Sequence, residues 1–138
     1  MWAQVAVSQG FRLLSYFPIQ SSPFSTLLKK KIKVVKAVSD ELDLINVSPV
    51  RKRIEEENGK FHFVISRAVT RFPEFVNLAR KNVSKAGNNS LDNGILYLKG
   101  GDLSDELSFF QGKVTVWQIR DFFKESFFET KVIVYLPV

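Results

Sequence analysis

The sequence predicts an α/β fold, a mostly parallel sheet with helices packed on it and an antiparallel edge at its carboxyl-terminal end. Strand-sized apolar runs alternate with helix-spaced ones through the middle of the chain, which is the pattern of β-α-β units. The last two β-rich runs have little helix between them, and that suits neighbours that turn back antiparallel. The chain has 138 residues, 45% of them hydrophobic, with only 7 Gly and 5 Pro. Such a chain holds one folded domain at most and can bury a core.

Lys31 to Leu44 carries Ile32, Val35, Val38 and Leu42 at spacings of three and four, so an amphipathic helix is expected there. Asn46 to Val50, with Val47 and Val50 around Pro49, suits a short edge strand. A charged stretch follows from Arg51 to Lys60. The apolar run from Phe61 to Ala68 reads as a strand, and Phe72 to Val83 reads as a helix burying Phe72, Phe75, Val76, Ala79 and Val83. Lys85 to Gly94 is rich in Gly, Asn and Ser and predicts a loop. A buried strand is expected from Ile95 to Leu98, stopped by Gly100 and Gly101. Asp102 or Ser104 then caps a short helix through Phe110. Val114 to Ile119 and Lys131 to Leu136 are the final strands, with an aromatic segment, Asp121 to Phe128, between them.

Charge and composition narrow the function classes. The net charge is +6, but the first acidic residue is Asp40. Arg12, Lys29, Lys30, Lys31, Lys33 and Lys36 supply the whole excess, and the remainder balances fourteen against fourteen. Lys29 to Lys36 therefore reads as the solvated face of a helix before it reads as a phosphate-binding patch. The absence of Cys excludes disulfides, thiolate metal sites and cysteine nucleophiles, and the single His, His62, is assigned to packing. No apolar run has the length of a membrane span. In doubly wound sheets ligands sit beyond the carboxyl ends of the strands, which directs attention to Arg67 and Lys99. Each could instead be a strand end emerging into solvent, and the many Phe residues from Phe109 to Phe128 read as core rather than as base-stacking platforms.

The strings at those strand ends are recognisable. VISRAVTRFPEF (Val64 to Phe75) and ILYLKGGDLSDEL (Ile95 to Leu107) are similar to motifs of the RsmG (GidB) family, bacterial methyltransferases of small-subunit ribosomal RNA. KKIKVV (Lys30 to Val35) and FFETKVIVYLP (Phe127 to Pro137) match in the same order. The resemblance covers residues 29–138 and implies part of a Rossmann-like methyltransferase sheet. It also implies S-adenosyl-L-methionine as cofactor and N7 of a guanine as acceptor. That nitrogen already carries a lone pair, so no catalytic base and no catalytic residue is expected, and alignment of the reactants suffices. By resemblance Ile54 and Glu55 hold the adenine end of the cofactor, Arg67 reaches the donor site, and Lys99 and Arg71 contact RNA. The surface readings of Glu55, in a mixed-charge run, and of Arg71, at a helix start, stay open beside these.

Residues 1–28 depart from the family. A strand and a glycine-rich loop of the form DVGTGGGFPGIPLAI belong there, followed by an acidic residue for the ribose. The chain has MWAQVAVSQGFRLLS, with Gly10 alone. Met and Trp have unique codons, and reading the same bases one position earlier gives Val then Gly. Continued through Ala3 to Pro18, the shifted reading permits the missing motif. Over Phe24 to Leu28 it permits Leu, then Phe or Leu, then Asp, Ser and Ile, before normal reading resumes near Lys30. The expectation is a truncated, frameshifted reading frame in which 1–28 are out of frame, have no evolved partner in the fold and give it an irregular or poorly packed start. Secretory and transit signals fit this segment poorly.

The expected protein is then a cytoplasmic, monomeric rRNA methyltransferase without metal, of little or no activity as this polypeptide. The alternatives are a catalytically incompetent fragment and a cofactor-free RNA-binding module.

Overall fold

A computed structural model describes residues 4–8, 12–16, 25–45, 47–50, 54–67, 70–87 and 89–138. One seven-stranded mixed sheet runs through the molecule, in the order β3-β2-β1-β4-β5-β7-β6. The strands are β1 (Gln4–Ser8), β2 (Arg12–Tyr16), β3 (Val47–Val50), β4 (Phe63–Arg67), β5 (Gly94–Gly100), β6 (Thr115–Gln118) and β7 (Lys131–Pro137). The helices are α1 (Ser25–Glu41), α2 (Phe72–Ala79) and the single turn α3 (Ser104–Leu107). By their pairings β2, β3, β4, β5 and β6 run one way, and β1 and β7 run the other. The α/β class, the parallel centre and the antiparallel carboxyl-terminal edge are as the sequence predicts.

At the centre, β4, α2 and β5 form the crossover unit that parallel neighbours require. Pro73 in the first turn presets the helical backbone, and Glu74 there complements the helix dipole. Phe72, Phe75, Val76 and Ala79 fall at i, i+3, i+4 and i+7, and all are buried. They pack on Val64, Ile95 and Tyr97 of the sheet and on Val132, Val134 and Leu136 of β7. Tyr97 is the aromatic hub, 5.3 Å from the Phe72 ring and 5.6 Å from the Phe75 ring between centroids. A short 3₁₀ turn, Arg80–Asn82, ends the helix. The buried Asn82 there donates to the carbonyls of Glu57 and Gly59 at 2.9 Å, fastening the preceding segment to the carboxyl end of α2.

Four expectations are corrected. Helix α1 begins at Ser25 rather than Lys31, and its predicted apolar face is only partly covered. Ile32 and Val35 are half-buried, while Val38 and Leu42 are 50% and 61% exposed. Among the described residues the helix packs chiefly against the edge strand β3, which is too narrow to cover the rest of that face. Strand β5 runs through Gly100 instead of stopping before it, because Gly100 pairs with Lys131 of β7. The break comes one residue later, where Gly101 takes a φ of 87°. The aromatic segment is not core throughout. Phe109, Phe122, Phe123 and Phe127 are exposed, and only Phe110 and Phe128 turn partly inward. These residues sit on turns and connections that, among the described residues, no helix or sheet covers. Finally, of the two outcomes expected for residues 1–28, an irregular or a poorly packed start, irregularity does not hold over Gln4–Ser8. Gln4–Ser8 pairs regularly with β2 and with β4, since β-sheet hydrogen bonding is made by backbone and needs no particular side chains. Its side-chain packing, and the side chains of Arg12 and Lys29 to Lys31, lie outside the described residues.

Candidate functional site

The parallel strands β4 and β5 end side by side at Arg67 and Leu98, which are register partners. Side chains alternate across a strand, so Arg67, Leu98, Gly100 and Lys131 stand on one face, and Tyr97 and Lys99 on the other. Arg67, Leu98, Lys99, Gly100, Ile119, Phe127, Phe128 and Lys131 together line a cavity of about 230 Å³. Its floor is strand end, and its wall is the turn-rich connection between β6 and β7. A Cβ on Gly100 would lie 2.8 Å from Lys131 Cδ, so the glycine gives the Lys131 chain room to cross the strand end.

Of the cations at this edge, Lys99 is already engaged. Its ammonium forms an ion pair with Glu106, with the two side chains only 25% and 13% exposed, and it lies 5.9 Å from the Tyr97 ring centroid. The other Glu106 oxygen accepts the Phe72 N–H at 2.7 Å. Arg71 precedes that helix without offering a side-chain cap, so Glu106 caps α2 from another element. Burial alone would raise the Glu106 pKa. The hydrogen bonds from Lys99 and Phe72, with the fields of Lys99 and Arg71, outweigh it and hold the carboxyl below its ordinary value. Lys99 is shifted upward: burial opposes this, but the Glu106 bond and the neighbouring Tyr97 prevail. The Tyr97 hydroxyl donates to the Thr70 carbonyl, which ties the Arg67–Arg71 connection to the sheet.

The sequence-predicted residues do not all meet. Arg67 and Lys99 line the cavity, whereas Arg71, exposed at the start of α2, does not. Ile54 and Glu55 lie on a 3₁₀ turn (Ile54–Glu56) and do not line it. Ile54 is buried in the core cluster. The Glu55 carbonyl accepts from Lys81 at 2.5 Å, near the carboxyl end of α2 and away from Arg67. Glu106, Phe127 and Lys131 were missed. Glu106 stands within the LKGGDLSDEL string, but its role arises only when the Gly101 turn brings it back onto Lys99.

The fit to S-adenosylmethionine can be judged from strand direction. A glycine loop approaches such a ligand from the carboxyl ends of parallel strands. Here β1 is antiparallel to β4, with Gln4 opposite Ser66 and Val7 opposite Phe63. The chain therefore leaves β1 at the amino end of β4, the edge opposite Arg67. The described residues do not fit the cofactor in the arrangement that the resemblance implies. Among the described residues no three metal-binding side chains cluster, and no helix is long and apolar enough to cross a membrane.

Comparison with known proteins places these features in a family. Residues 26–133 match the family model GidB, rRNA small subunit methyltransferase G. The "Ribosomal RNA small subunit methyltransferase G" of Flavobacterium johnsoniae is 44% identical over 129 residues, which is 94% of this chain and 61% of that protein. The protein of the same name from Christiangramia forsetii is 48% identical over 109 residues, 79% of this chain and 51% of that one. That of Parabacteroides distasonis is 42% identical over 129 residues, 94% and 56%. The chain thus spans between half and about three fifths of the length of these relatives.

Proposed function

The chain belongs to the rRNA small subunit methyltransferase G family, and from that premise we propose that it carries the RNA-facing edge of such an enzyme without a working donor site. The parent activity is transfer of a methyl group from S-adenosylmethionine to N7 of a guanine in small-subunit ribosomal RNA, in the cytoplasm and by a monomer. Arg67, Arg71 and Lys99 contact the RNA backbone. In a protein with the intact loop, Ile54, Glu55 and Arg67 hold the cofactor. In this chain the reversed β1 is the observation that favours an incompetent donor site.

Residues 1–28 are, on this reading, the out-of-frame translation of the donor strand and its glycine loop, with 29–138 in frame. A first strand entering against the direction of β4 supports that. Resequencing the coding DNA through the lysine run tests it. A one-base change near Leu28 to Lys30 that restores the glycine loop supports the reading, and an unbroken frame with no such loop in any phase would sink it.

RNA association tests the functional half. A fragment of small-subunit rRNA should bind the chain, with affinity falling steeply between about 50 and 200 mM salt. Binding that ignores salt, or none at 50 mM, contradicts the proposal.

A further inference from the structure

The cavity at the ends of β4 and β5 holds two cations with no carboxylate partner among the described residues, and they stand on the face away from Lys99. Arg67 is exposed at the end of β4. Lys131 crosses Gly100, and its ammonium lies 5.3 Å from the Phe127 ring centroid. Phe127 is 58% exposed and is held edge-on by Phe128 at 5.2 Å, which in turn rests against Phe123. A hydrophobic ring kept at the surface by its neighbours, beside two unpaired cations, suits a ligand that is flat at one end and anionic at the other. The carboxylates of the same connection, Asp121, Glu125 and Glu129, are exposed and lie outside the cavity lining. At about 230 Å³ the space is below the roughly 300–1,000 Å³ of pockets that enclose whole drug-sized ligands.

We infer that this cavity receives a single nucleotide of unpaired RNA, its base stacked on Phe127 and its phosphate between Arg67 and Lys131. Stacking on an aromatic ring tolerates any base, and the flanking cations supply the backbone attraction. The inference rests on the RNA-facing reading above and adds to it the residues of the β6–β7 connection.

Guanosine 5′-monophosphate and an rRNA stem-loop with an unpaired guanine are the two probes, each titrated into the full chain and followed by amide NMR. The nucleotide should move the amides of Leu98 to Gly100 and Phe127 to Lys131. Phe127→Ala and Lys131→Ala should each weaken both probes by about tenfold, and Lys124→Ala, outside the cavity, should leave them unchanged. Circular dichroism checks that the variants stay folded. If the stem-loop binds but ignores both cavity variants, the inference is overturned and the RNA reading stands. If the monophosphate binds and the variants abolish it while the stem-loop does not bind, the nucleotide site stands and the RNA reading fails. If neither probe binds, both fall, and the aromatic surface belongs to a protein partner.

Discussion

The two ends of the sheet are built under different constraints. From Phe61 onward, every strand is locked by something besides its neighbours' backbone. Strands β4, β5 and β7 share one apolar core with α2, and the β5 end is clasped through Lys99 and Glu106 to the start of α2. At the other end, β1 and β2 are five-residue strands joined by backbone pairing, and α1 leaves Val34, Val38 and Leu42 exposed. The difference teaches where a ligand site can form. Two parallel strands with a fixed end create a defined edge, whereas an antiparallel strand ends at the opposite edge however regular its pairing.

The sharpest way to break this comparison is to empty the locked end. Phe75 of α2 is fully buried against Tyr97, so Phe75→Ala should destabilise the chain by about 3–5 kcal/mol, as read from urea denaturation. A cost comparable with that of a surface change would show that the core is not where stability resides.

Most of that locked end was legible in the sequence. The change of apolar period from Phe61–Ala68 to Phe72–Val83, and back at Ile95, announced β4, α2 and β5 because those residues are buried by their immediate partners. Lys131 to Leu136 was legible for the same reason. What could not be read depends on contacts remote in sequence. Whether Phe127 is core depends on whether anything covers the β6–β7 connection, and its apolar character gives no sign of that. The direction of β1 is set by pairing with β4, some sixty residues away by the chain's own numbering. Arg67 and Lys99 were placed correctly at strand ends, but the partner of Lys99 was hidden beyond the Gly101 turn.

An intermediate effect is expected at the clasp. Glu106→Ala removes the acceptor of the Phe72 N–H and the partner of Lys99. Both side chains keep some contact with water, so the loss should be about 1–2 kcal/mol. Its pH dependence has a definite sign. The Glu106 pKa is depressed in the fold, so its contribution is present above the ordinary value of 4.5 and is lost as pH falls through the lower folded value. The Lys99 pKa is raised, so its contribution is present below 10.5 and is lost as pH rises through the higher folded value. Comparing urea midpoints of the wild type and Glu106→Gln across both windows checks this, and parallel curves would remove the clasp from the account.

The smallest effect belongs to the other end. Val38→Ala, on the half-open face of α1, should change stability by less than about 0.5 kcal/mol. A loss above about 1 kcal/mol in the same urea assay would mean that α1 is packed more tightly than its exposure implies.

Calorimetric titration of the purified chain with S-adenosylmethionine tests the central claim most directly. With β1 reversed and ending at the far edge from Arg67, the chain should show no saturable heat at millimolar cofactor. Saturable binding at one site per chain would contradict that, and would mean that the donor site forms without a glycine loop at the ends of β4 and β5.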